Sequence, residues 1–344
     1  MPAERIVITR WGGPEVLKVE PFEPIPPGDG EVSIAVRAIG INFADLFCRL
    51  GLYSAAPKAP FAPGFEVAGE IAEIGAGVNN VRLGDRVVAL TRFGGYTSLL
   101  TAPARWVRPL PPSWSFEQGA AFPVVFLTAY HGLVNVGRLA EGETVVVQSA
   151  AGGVGTAACQ IAKVLGARVI GTVGSEPKRD IALQAGAAEV IVHPRYRVWN
   201  QIDKLTAGHG VDLVFDAVGG PGLRPAFRAL ARGGRLVSYG FAEMMPKKGR
   251  NWPLLLWRWL RMPRFNPLAM TGRNLTLAGF NLVYLWKNEP LFMGALDRLD
   301  SWIQKDQIRP LVGATFPFNA APAAHAFMQS RRSIGKIVLT RSGP

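Results

Sequence analysis

The feature that most constrains this fold is a glycine-rich turn between an apolar strand and a helix, in the segment SAAGGVGTAACQIAKVLGA at 149–167. The strand-like run TVVVQSA (144–150) leads directly into Gly152, Gly153 and Gly155. Glycines let the chain turn tightly and let a pyrophosphate approach the free N–H groups and positive dipole of a helix N-terminus. Such a turn can also serve only to pack a helix on a sheet. The neighbouring segments therefore have to distinguish dinucleotide binding from packing.

The context is an alternation of strand-like and helix-like segments. Helical patterns occur at 159–166, 176–186 and 221–231, and apolar strand patterns occur at 167–173, 188–192, 211–217, 234–240 and 274–280. Apolar strands joined by short helical crossovers predict a parallel sheet covered on both faces. We therefore predict a doubly wound domain whose turn binds a dinucleotide through the backbone of Ala151, Gly152, Gly153 and Val154.

The end of the second strand predicts which dinucleotide binds. An NAD enzyme places an acidic residue about 20 positions beyond the glycines, on the ribose 2′-hydroxyl. Here Gly174 leaves room and Ser175 can donate a hydrogen bond, while Lys178 or Arg179 can meet a 2′-phosphate, so NADPH is favoured. Glu176 is a competing acid, although Glu-Pro is typical of a helix start. The alternative for the two basic residues is a solvated helix face.

The first 123 residues follow a different pattern, with strand-like segments at 31–39, 65–75 and 85–90 between prolines and glycines. A helix-like segment at 124–136 marks the change of pattern, and a helix at 289–305 precedes the final strand, 335–340. The predicted class is α/β, with a β-rich domain of residues 1–123 and 287–344 and a doubly wound domain of residues 124–286.

Composition limits the remaining function classes. The chain has 344 residues, 49% of them hydrophobic, which suits two domains. We find no apolar run of about 18 residues and no signal-like N-terminus, so a cytoplasmic protein is expected. Two cysteines cannot supply a four-thiolate zinc lobe, and the four histidines have no ligand spacing. The net charge of +13 comes without a nucleic-acid motif or a block of five like charges, so no nucleic-acid partner is expected.

Five segments, in order along both domains, carry a resemblance to a known family. They are residues 40–45 (GINFAD), 49–53 (RLGLY), 63–66 (PGFE), 150–155 and 335–339 (GKIVL). The chain resembles the zinc-independent quinone oxidoreductase branch of the medium-chain dehydrogenase/reductase superfamily, and within it the vesicle amine transport protein-like subgroup. The resemblance implies a split GroES-like catalytic domain around a Rossmann domain, a homodimer, and NADPH-dependent reduction of quinones or enones.

The resemblance also implies the catalytic residues. Asn42 stands at the first zinc-ligand position and Phe65 replaces a histidine, so no metal is expected because phenylalanine has no donor. Asn42 and Tyr53 are then candidates to stabilise the developing substrate oxygen, with Asp45 orienting them. The alternative for Asp45 is a helix cap or a packing role, and the alternative for Tyr53 is a loop aromatic that packs on the cofactor.

Further cofactor contacts are implied outside the glycine turn. Thr128 is expected on the nicotinamide side, and Val218 and Gly240 follow strands at the ligand edge of the sheet. Lys336, in the terminal Gly-Lys pair, is expected to reach the cofactor. Arg195 is expected to replace a tyrosine that many quinone reductases place near the 2′-phosphate.

The segment NWPLLLWRWLRMPRF (251–265) is rich in tryptophan, leucine and arginine. Asn251 and Pro253 suit the start of a helix that Pro263 would stop, and about ten residues are too few to span a membrane. The helix suits a peripheral membrane contact, the wall of an apolar substrate pocket, or a dimer contact. Three functions therefore stay open: an NADPH:quinone oxidoreductase, an enoyl or alkenal reductase, and a membrane-associated NADPH-binding protein with little catalysis.

Overall fold

The structure is a computed structural model that describes residues 3–193, 198–246 and 251–341. The strands are β1 (Ala3–Ile8), β2 (Leu17–Phe22), β3 (Glu31–Ile41), β4 (Glu66–Ile74), β5 (Arg86–Leu90), β6 (Leu99–Pro103), β7 (Val107–Pro109), β8 (Thr144–Gln148), β9 (Arg168–Val173), β10 (Glu189–Val192), β11 (Val211–Asp216), β12 (Leu230–Ser238), β13 (Thr276–Gly279), β14 (Val312–Pro317) and β15 (Lys336–Thr340).

The α-helices alternate with these strands along the chain. They are α1 (Phe43–Leu50), α2 (Phe116–Ala120), α3 (Pro123–Tyr130), α4 (Gly153–Val164), α5 (Arg179–Gln184), α6 (Val198–Leu205), α7 (Leu223–Arg228), α8 (Trp252–Leu260), α9 (Pro267–Thr271), α10 (Glu289–Gln304) and α11 (Ala321–Gln329). The predicted helix at 124–136 is α3 followed by a π-helix, His131–Val136. The predicted helix at 159–166 begins earlier, because α4 starts inside the glycine turn.

The chain divides into two compact units. The first contains the described residues up to Val124 and from Pro310 onward, and the second contains the described residues of Val125–Pro246 and Asn251–Arg309. Residues 287–309, which we expected in the β-rich domain, belong to the second unit. The reason is packing: Trp302 of α10 contacts the ring of Tyr130, and the side chain of Gln160 in α4 both donates to and accepts from the backbone of Arg309.

The first unit is built on a seven-stranded sheet in the order β14-β15-β3-β4-β5-β7, with β6 also paired to β3, and on a separate β1–β2 ribbon. Strand β3 is nearly all buried because neighbours cover both of its faces. The last strand pairs antiparallel with it, with Ile337 opposite Ile41. This register brings the start of β15 beside Asn42, at the end of β3.

The second unit contains a six-stranded parallel sheet in the order β10-β9-β8-β11-β12-β13. The chain runs outward from β8 to β10, then returns and runs outward from β11 to β13. The direction of winding therefore reverses between β8 and β11, which is where a doubly wound sheet binds its ligand. The predicted fold class, a β-rich GroES-like domain with a Rossmann domain, is confirmed.

Among the described residues, one stretch, Phe116–Val136, is long and apolar enough to cross a membrane by length and composition; it comprises α2, a two-residue turn, α3 and the π-helix. It has 21 residues, whereas we expected no apolar run of about 18 residues. Within the most apolar window, 61% of the residues are buried inside the protein. Burial of this extent is typical of a core helix, and length and composition alone are weak evidence for a span.

Candidate functional site

The glycine turn joins β8 to the N-terminus of α4 in the second unit. Ser149 adopts a left-handed backbone (φ 55°), and Gly152 caps the twelve-residue helix. A Cβ on Gly155 would lie 2.1 Å from the carbonyl oxygen of Ser149, so the helix approaches the turn at a distance that only glycine allows. Gly152, Gly153 and Val154 are half-buried, whereas Ala151 is buried. The turn thus presents backbone N–H groups at the switch point of the sheet, which fits a pyrophosphate.

The adjacent strand β9 ends in the loop predicted to select NADPH. Gly174 and Ser175 are exposed, and a Cβ on Gly174 would have no neighbour within 4 Å. Lys178 is half-buried, and burial lowers the pKa of its ammonium group. This open space beside a partly desolvated cation suits an anionic phosphate.

Arg179 is held by hydrogen bonds to an acid and to the backbone of β10. Its Nε donates to Glu176 Oε1 at 2.6 Å, and its Nη1 donates to the carbonyl oxygen of Val190 in β10 at 2.9 Å. Two of the five N–H groups of Arg179 are thus used within the protein, which leaves fewer of them for a phosphate. The carboxylate of Glu176, which we considered as an alternative partner of the ribose 2′-hydroxyl, is thus bound to Arg179.

The loops after β11 and β12 continue the same edge of the sheet, because the two strands are parallel neighbours. Val218 and Gly240 lie two residues beyond the strand ends and are half-buried. A Cβ on Gly240 would lie 2.6 Å from the carbonyl oxygen of Ala217, which excludes larger residues. The predicted positions at 151–154, 174–175, 218 and 240 thus share one edge of the sheet.

Asp216, at the end of β11, is a residue that the sequence analysis missed. Its Oδ1 accepts the N–H of Gly219 at 2.7 Å and the hydroxyl of Ser238 at 3.3 Å. Burial raises the pKa of its carboxyl group to about 6. Gly219 adopts a left-handed φ of 68°, which residues other than glycine rarely adopt. The carboxylate of Asp216 therefore stabilises a turn that depends on this glycine. An acid ending an apolar strand just before Gly-Gly was the available signal.

The contacts of two predicted cofactor residues stay predictions. Thr128 lies in α3 and is half-buried. Arg195 falls outside the described residues.

A buried cluster of polar side chains forms the centre of the first unit. Lys336 Nζ lies 2.5 Å from Glu66 Oε1 and 2.5 Å from Asn42 Oδ1, and only 2% of Lys336 is exposed. The amide nitrogen of Asn42 donates to Glu66 Oε1 at 2.9 Å and lies 3.4 Å from the carbonyl oxygen of Gly40. Glu66 Oε2 accepts the N–H of Val124 at 2.7 Å. We call Asn42, Glu66 and Lys336 the buried triad.

The triad changes two of our predictions. The ammonium of Lys336 is held by Glu66 and Asn42 inside the unit, so we no longer expect it to reach the cofactor. Asn42 uses both its amide nitrogen and its oxygen inside the cluster, so donation to a substrate oxygen would require the cluster to open. Glu66 stands in the motif at 63–66, but the sequence gives no sign of its role, because its partner lies 270 residues away.

These residues do not fit a zinc ion at the position where related enzymes hold one. Asn42 directs its oxygen at an ammonium group, which already supplies a positive charge there. Phe65 has no donor atom, and its ring packs against Phe93, with centroids 5.2 Å apart. Among the described residues, no three His, Cys, Asp or Glu side chains converge as metal ligands.

Asp45 lies in the first turn of α1 and is fully buried. Its carboxylate accepts the N–H groups of Asn42 at 2.7 Å and Gly64 at 3.2 Å, and the hydroxyl of Tyr96 at 3.3 Å. The bond to Asn42 is half of a capping box, so the alternative of a helix cap describes the observed contact. Burial raises the pKa of this carboxyl group to about 7. Asp45 therefore orients the backbone of Asn42 rather than its side chain.

The hydroxyl of Tyr96 extends this network to His325, whose Nε2 lies 2.9 Å away. Both side chains are fully buried, and burial lowers the pKa of His325 to about 3, so the imidazole is neutral. The sequence analysis did not pair them, since 229 residues separate them.

Tyr53 follows the left-handed cap of α1 at Gly51 and is half-buried. Its ring meets Phe65 edge to face, with centroids 6.3 Å apart. This contact fixes the ring, and the role of its hydroxyl stays a prediction.

Comparison with family models agrees with both units. A model described as zinc-binding dehydrogenase matches residues 153–293, and one described as alcohol dehydrogenase GroES-like domain matches residues 28–112. The synaptic vesicle membrane protein VAT-1 homolog of Mus musculus is 32% identical over 98% of this chain and 84% of its own length. A quinone oxidoreductase of Rattus norvegicus is 32% identical over 97% of this chain and 96% of its own.

Solved structures of similar proteins cover nearly the whole chain. An Escherichia coli quinone oxidoreductase complexed with NADPH is 33% identical, with a TM-score of 0.86 over 98% of this chain and all of its own. The CurK enoyl reductase is 27% identical, with a TM-score of 0.86 over 99% of each chain.

A GroES-like unit and a Rossmann unit with a glycine-lined ligand edge, in one chain, define an oxidoreductase of the dinucleotide-binding class. Within that class, the chain belongs to the medium-chain dehydrogenase/reductase superfamily, in its zinc-independent quinone oxidoreductase branch.

Proposed function

We propose that this protein is a zinc-independent, NADPH-dependent reductase of quinones and related electron-poor carbonyl compounds. The observation that carries the proposal is the loop after β9, where Gly174 leaves open space, Lys178 is partly desolvated, and Glu176 is paired with Arg179. An acid already paired to an arginine is a poor partner for a ribose hydroxyl, so the loop favours a 2′-phosphate. The similarity to an NADPH-complexed quinone oxidoreductase supports the same cofactor.

The Rossmann unit would hold the cofactor through its backbone. The N–H groups of Gly153 and Val154 in the first turn of α4 would bind a pyrophosphate, and the dipole of α4 favours its charge. The N–H of Gly152 already donates to the carbonyl oxygen of Ser149 at 2.9 Å, so Gly152 would serve through its backbone shape. Ser175 and Lys178 would bind the 2′-phosphate. When bound, NADPH supplies the hydride, and the protein supplies position and electrostatics.

The GroES-like unit would supply the hydrogen-bond donor for the substrate. Asn42 is used inside the buried triad, so Tyr53 is the proposed donor to the developing oxygen. A phenol is in general a weak acid at neutral pH. A quinone suits such a site, because the reduced oxygen can take its proton from water.

A second candidate is the reduction of an enone or alkenal at its β-carbon. The similarity to the CurK enoyl reductase favours this alternative. Enone reduction requires a proton at carbon, whereas quinone reduction requires protons only at oxygen. The two activities therefore give different products from substrates that carry both groups.

The test is oxidation of NADPH by the purified, chelator-treated protein against matched quinones and enones, with product analysis. Hydroquinone formation at a higher kcat/KM than any enone reduction is the expected result. Turnover of enones alone would replace the quinone proposal with the enoyl reductase. Tight NADPH binding without turnover of either class would favour a binding protein with little catalysis.

The proposed assembly is a homodimer, to be measured by analytical ultracentrifugation. A cytoplasmic location and a peripheral membrane contact through residues 251–265 also stay proposals.

A further inference from the structure

Helix α8 exposes most of its apolar side chains. Asn251 caps it by accepting the N–H of Leu254 at 3.0 Å, and Leu255 is its one buried residue. The exposed side chains are Trp252 (62%), Leu256 (57%), Trp257 (53%), Trp259 (60%) and Leu260 (65%). Exposed apolar residues are ordinary when isolated, but five in nine residues form a patch that marks an interaction surface.

These five side chains share one side of the helix. At about 100° per residue, they fall within an arc of roughly 160°. Leu255, which anchors the helix to the protein, borders one end of this arc, and Arg261 and Arg258 continue beyond the other. We call these five residues of α8 the apolar patch.

The charge around the apolar patch has one sign. Residues 244–288 contain eight lysines and arginines and no aspartate or glutamate. Arg261 lies over the ring of Trp257, 4.5 Å from its centroid, and Arg258 donates to the carbonyl oxygen of Met245 at 3.0 Å. The arginines are thus held next to the apolar arc. A partner surface must accept tryptophan and leucine and also carry negative charge.

We propose that the apolar patch inserts into the interface of a membrane containing anionic phospholipid. Tryptophan and leucine on one face of a helix, with arginine beside them, suit the boundary between headgroups and acyl chains. A negative leaflet complements Arg258 and Arg261, which lie beside the apolar arc. A nine-residue helix is about 14 Å long, so it lies in the interface and does not span it.

A second copy of the chain fits this surface less well. An isologous dimer would bring Arg258 and Arg261 of one copy against those of the other, and no acidic residue within 244–288 would offset them. A fluid bilayer also accepts a convex row of indole rings without needing a matching groove. This inference stands apart from the proposed reaction, because none of its residues belongs to the predicted cofactor loops or to the buried triad.

The test is flotation of the full-length protein with vesicles of phosphatidylcholine alone or mixed with phosphatidylserine. We expect binding to the mixed vesicles that falls as salt is raised, and little binding to the neutral ones. The variant Trp252→Ser/Trp257→Ser/Trp259→Ser should lose at least about tenfold in vesicle affinity, since it removes the aromatic anchors. The variant Arg261→Glu/Arg264→Glu should lose the preference for phosphatidylserine.

The matched control is Ile25→Ser/Leu83→Ser, which removes two exposed apolar side chains from the first unit. It should float like the wild type, and all variants should bind NADPH equally, which confirms their folding. The proposal is overturned if the wild type does not float, or if the control loses as much affinity as the tryptophan variant. It is also overturned if the tryptophan variant keeps its vesicle affinity but sediments as a monomer where the wild type sediments as a dimer. The patch is then a contact between copies.

Discussion

The two polar regions of this molecule are built in opposite ways. The cofactor edge of the Rossmann unit consists of backbone groups on short loops, and its glycines follow their strands within a few residues. The buried triad of the GroES-like unit consists of side chains, and 294 residues separate Lys336 from Asn42. One region is open to a ligand, while the other is closed by its own hydrogen bonds. Substitutions in the open region should therefore affect binding, and substitutions in the closed region should affect stability.

The largest expected effect is on Lys336→Met, which leaves Glu66 charged and buried without its partner. Loss of one member of a buried pair costs about 3–5 kcal/mol in unfolding free energy. Urea denaturation measures this loss. The double variant Lys336→Met/Glu66→Gln should recover most of it, because the unpaired charge is gone. A loss below about 1 kcal/mol, as for surface pairs, would contradict the buried triad.

The pH dependence of stability tests the burial of Asp45. Its pKa is about 7 in the folded protein and about 3.9 when unfolded, so the native state holds the proton more tightly. Its contribution to stability is complete below about pH 4 and is lost as pH rises through 7, by no more than about 4 kcal/mol. Asp216 shifts in the same direction, so the measurement is the difference between wild type and Asp45→Asn across that range. A difference that does not vary with pH would mean that Asp45 is solvated.

The loop after β9 offers a matched pair of variants. Lys178→Ala should reduce the preference for NADPH over NADH by about 10- to 100-fold, the cost of a hydrogen bond to a charged group. Arg179→Ala should change it much less, because that guanidinium is bound to Glu176 and Val190. Kd values for both cofactors from fluorescence titration measure the ratios. A larger effect at Arg179 would show that its ion pair opens when the cofactor binds.

The close packing of α4 predicts the result of Gly155→Ala. The added Cβ would lie 2.1 Å from a backbone oxygen, so the turn must shift. We expect a loss of about 1–3 kcal/mol in stability together with weaker NADPH binding. Gly294→Ala in α10 is the control, because its Cβ would meet nothing within 4 Å and glycine weakens helices. If both variants are neutral, the turn is looser than the structure indicates.

The smallest expected effect is that of Tyr53→Phe. Loss of one hydrogen bond to a developing charge should lower kcat about tenfold, while the Kd for NADPH stays constant. Stopped-flow measurement of NADPH oxidation separates the two quantities. An unchanged kcat would leave Tyr53 with a packing role against Phe65.

The sequence predicted well what depends on local chemistry. The glycine turn, the alternation of strands and the cap at Asn251 are each encoded by neighbouring residues, so the Rossmann unit and α8 could be predicted. Lys336 and Arg179 could not, because a long cationic side chain finds its partner only after the fold is complete. Residues 287–309 were assigned to the β-rich domain because no local signal shows that α10 packs on Tyr130.

Strands β1 and β2 and helix α11 were also not predicted, although α11 supplies His325 to the network of Asp45 and Tyr96. A single histidine in an alanine-rich helix gives no sign of its partner. Asp216 is different, since an acid ending an apolar strand is a local signal that was present and not used.

The measurement that tests this account most directly is kcat/KM for NADPH and for NADH, with a quinone substrate, on protein shown to contain no metal. We predict turnover without metal and a preference for NADPH of at least about tenfold, equivalent to about 1.4 kcal/mol. Turnover that appears only after zinc is added, or an equal rate with NADH, would contradict the roles assigned to the buried triad and to the loop after β9.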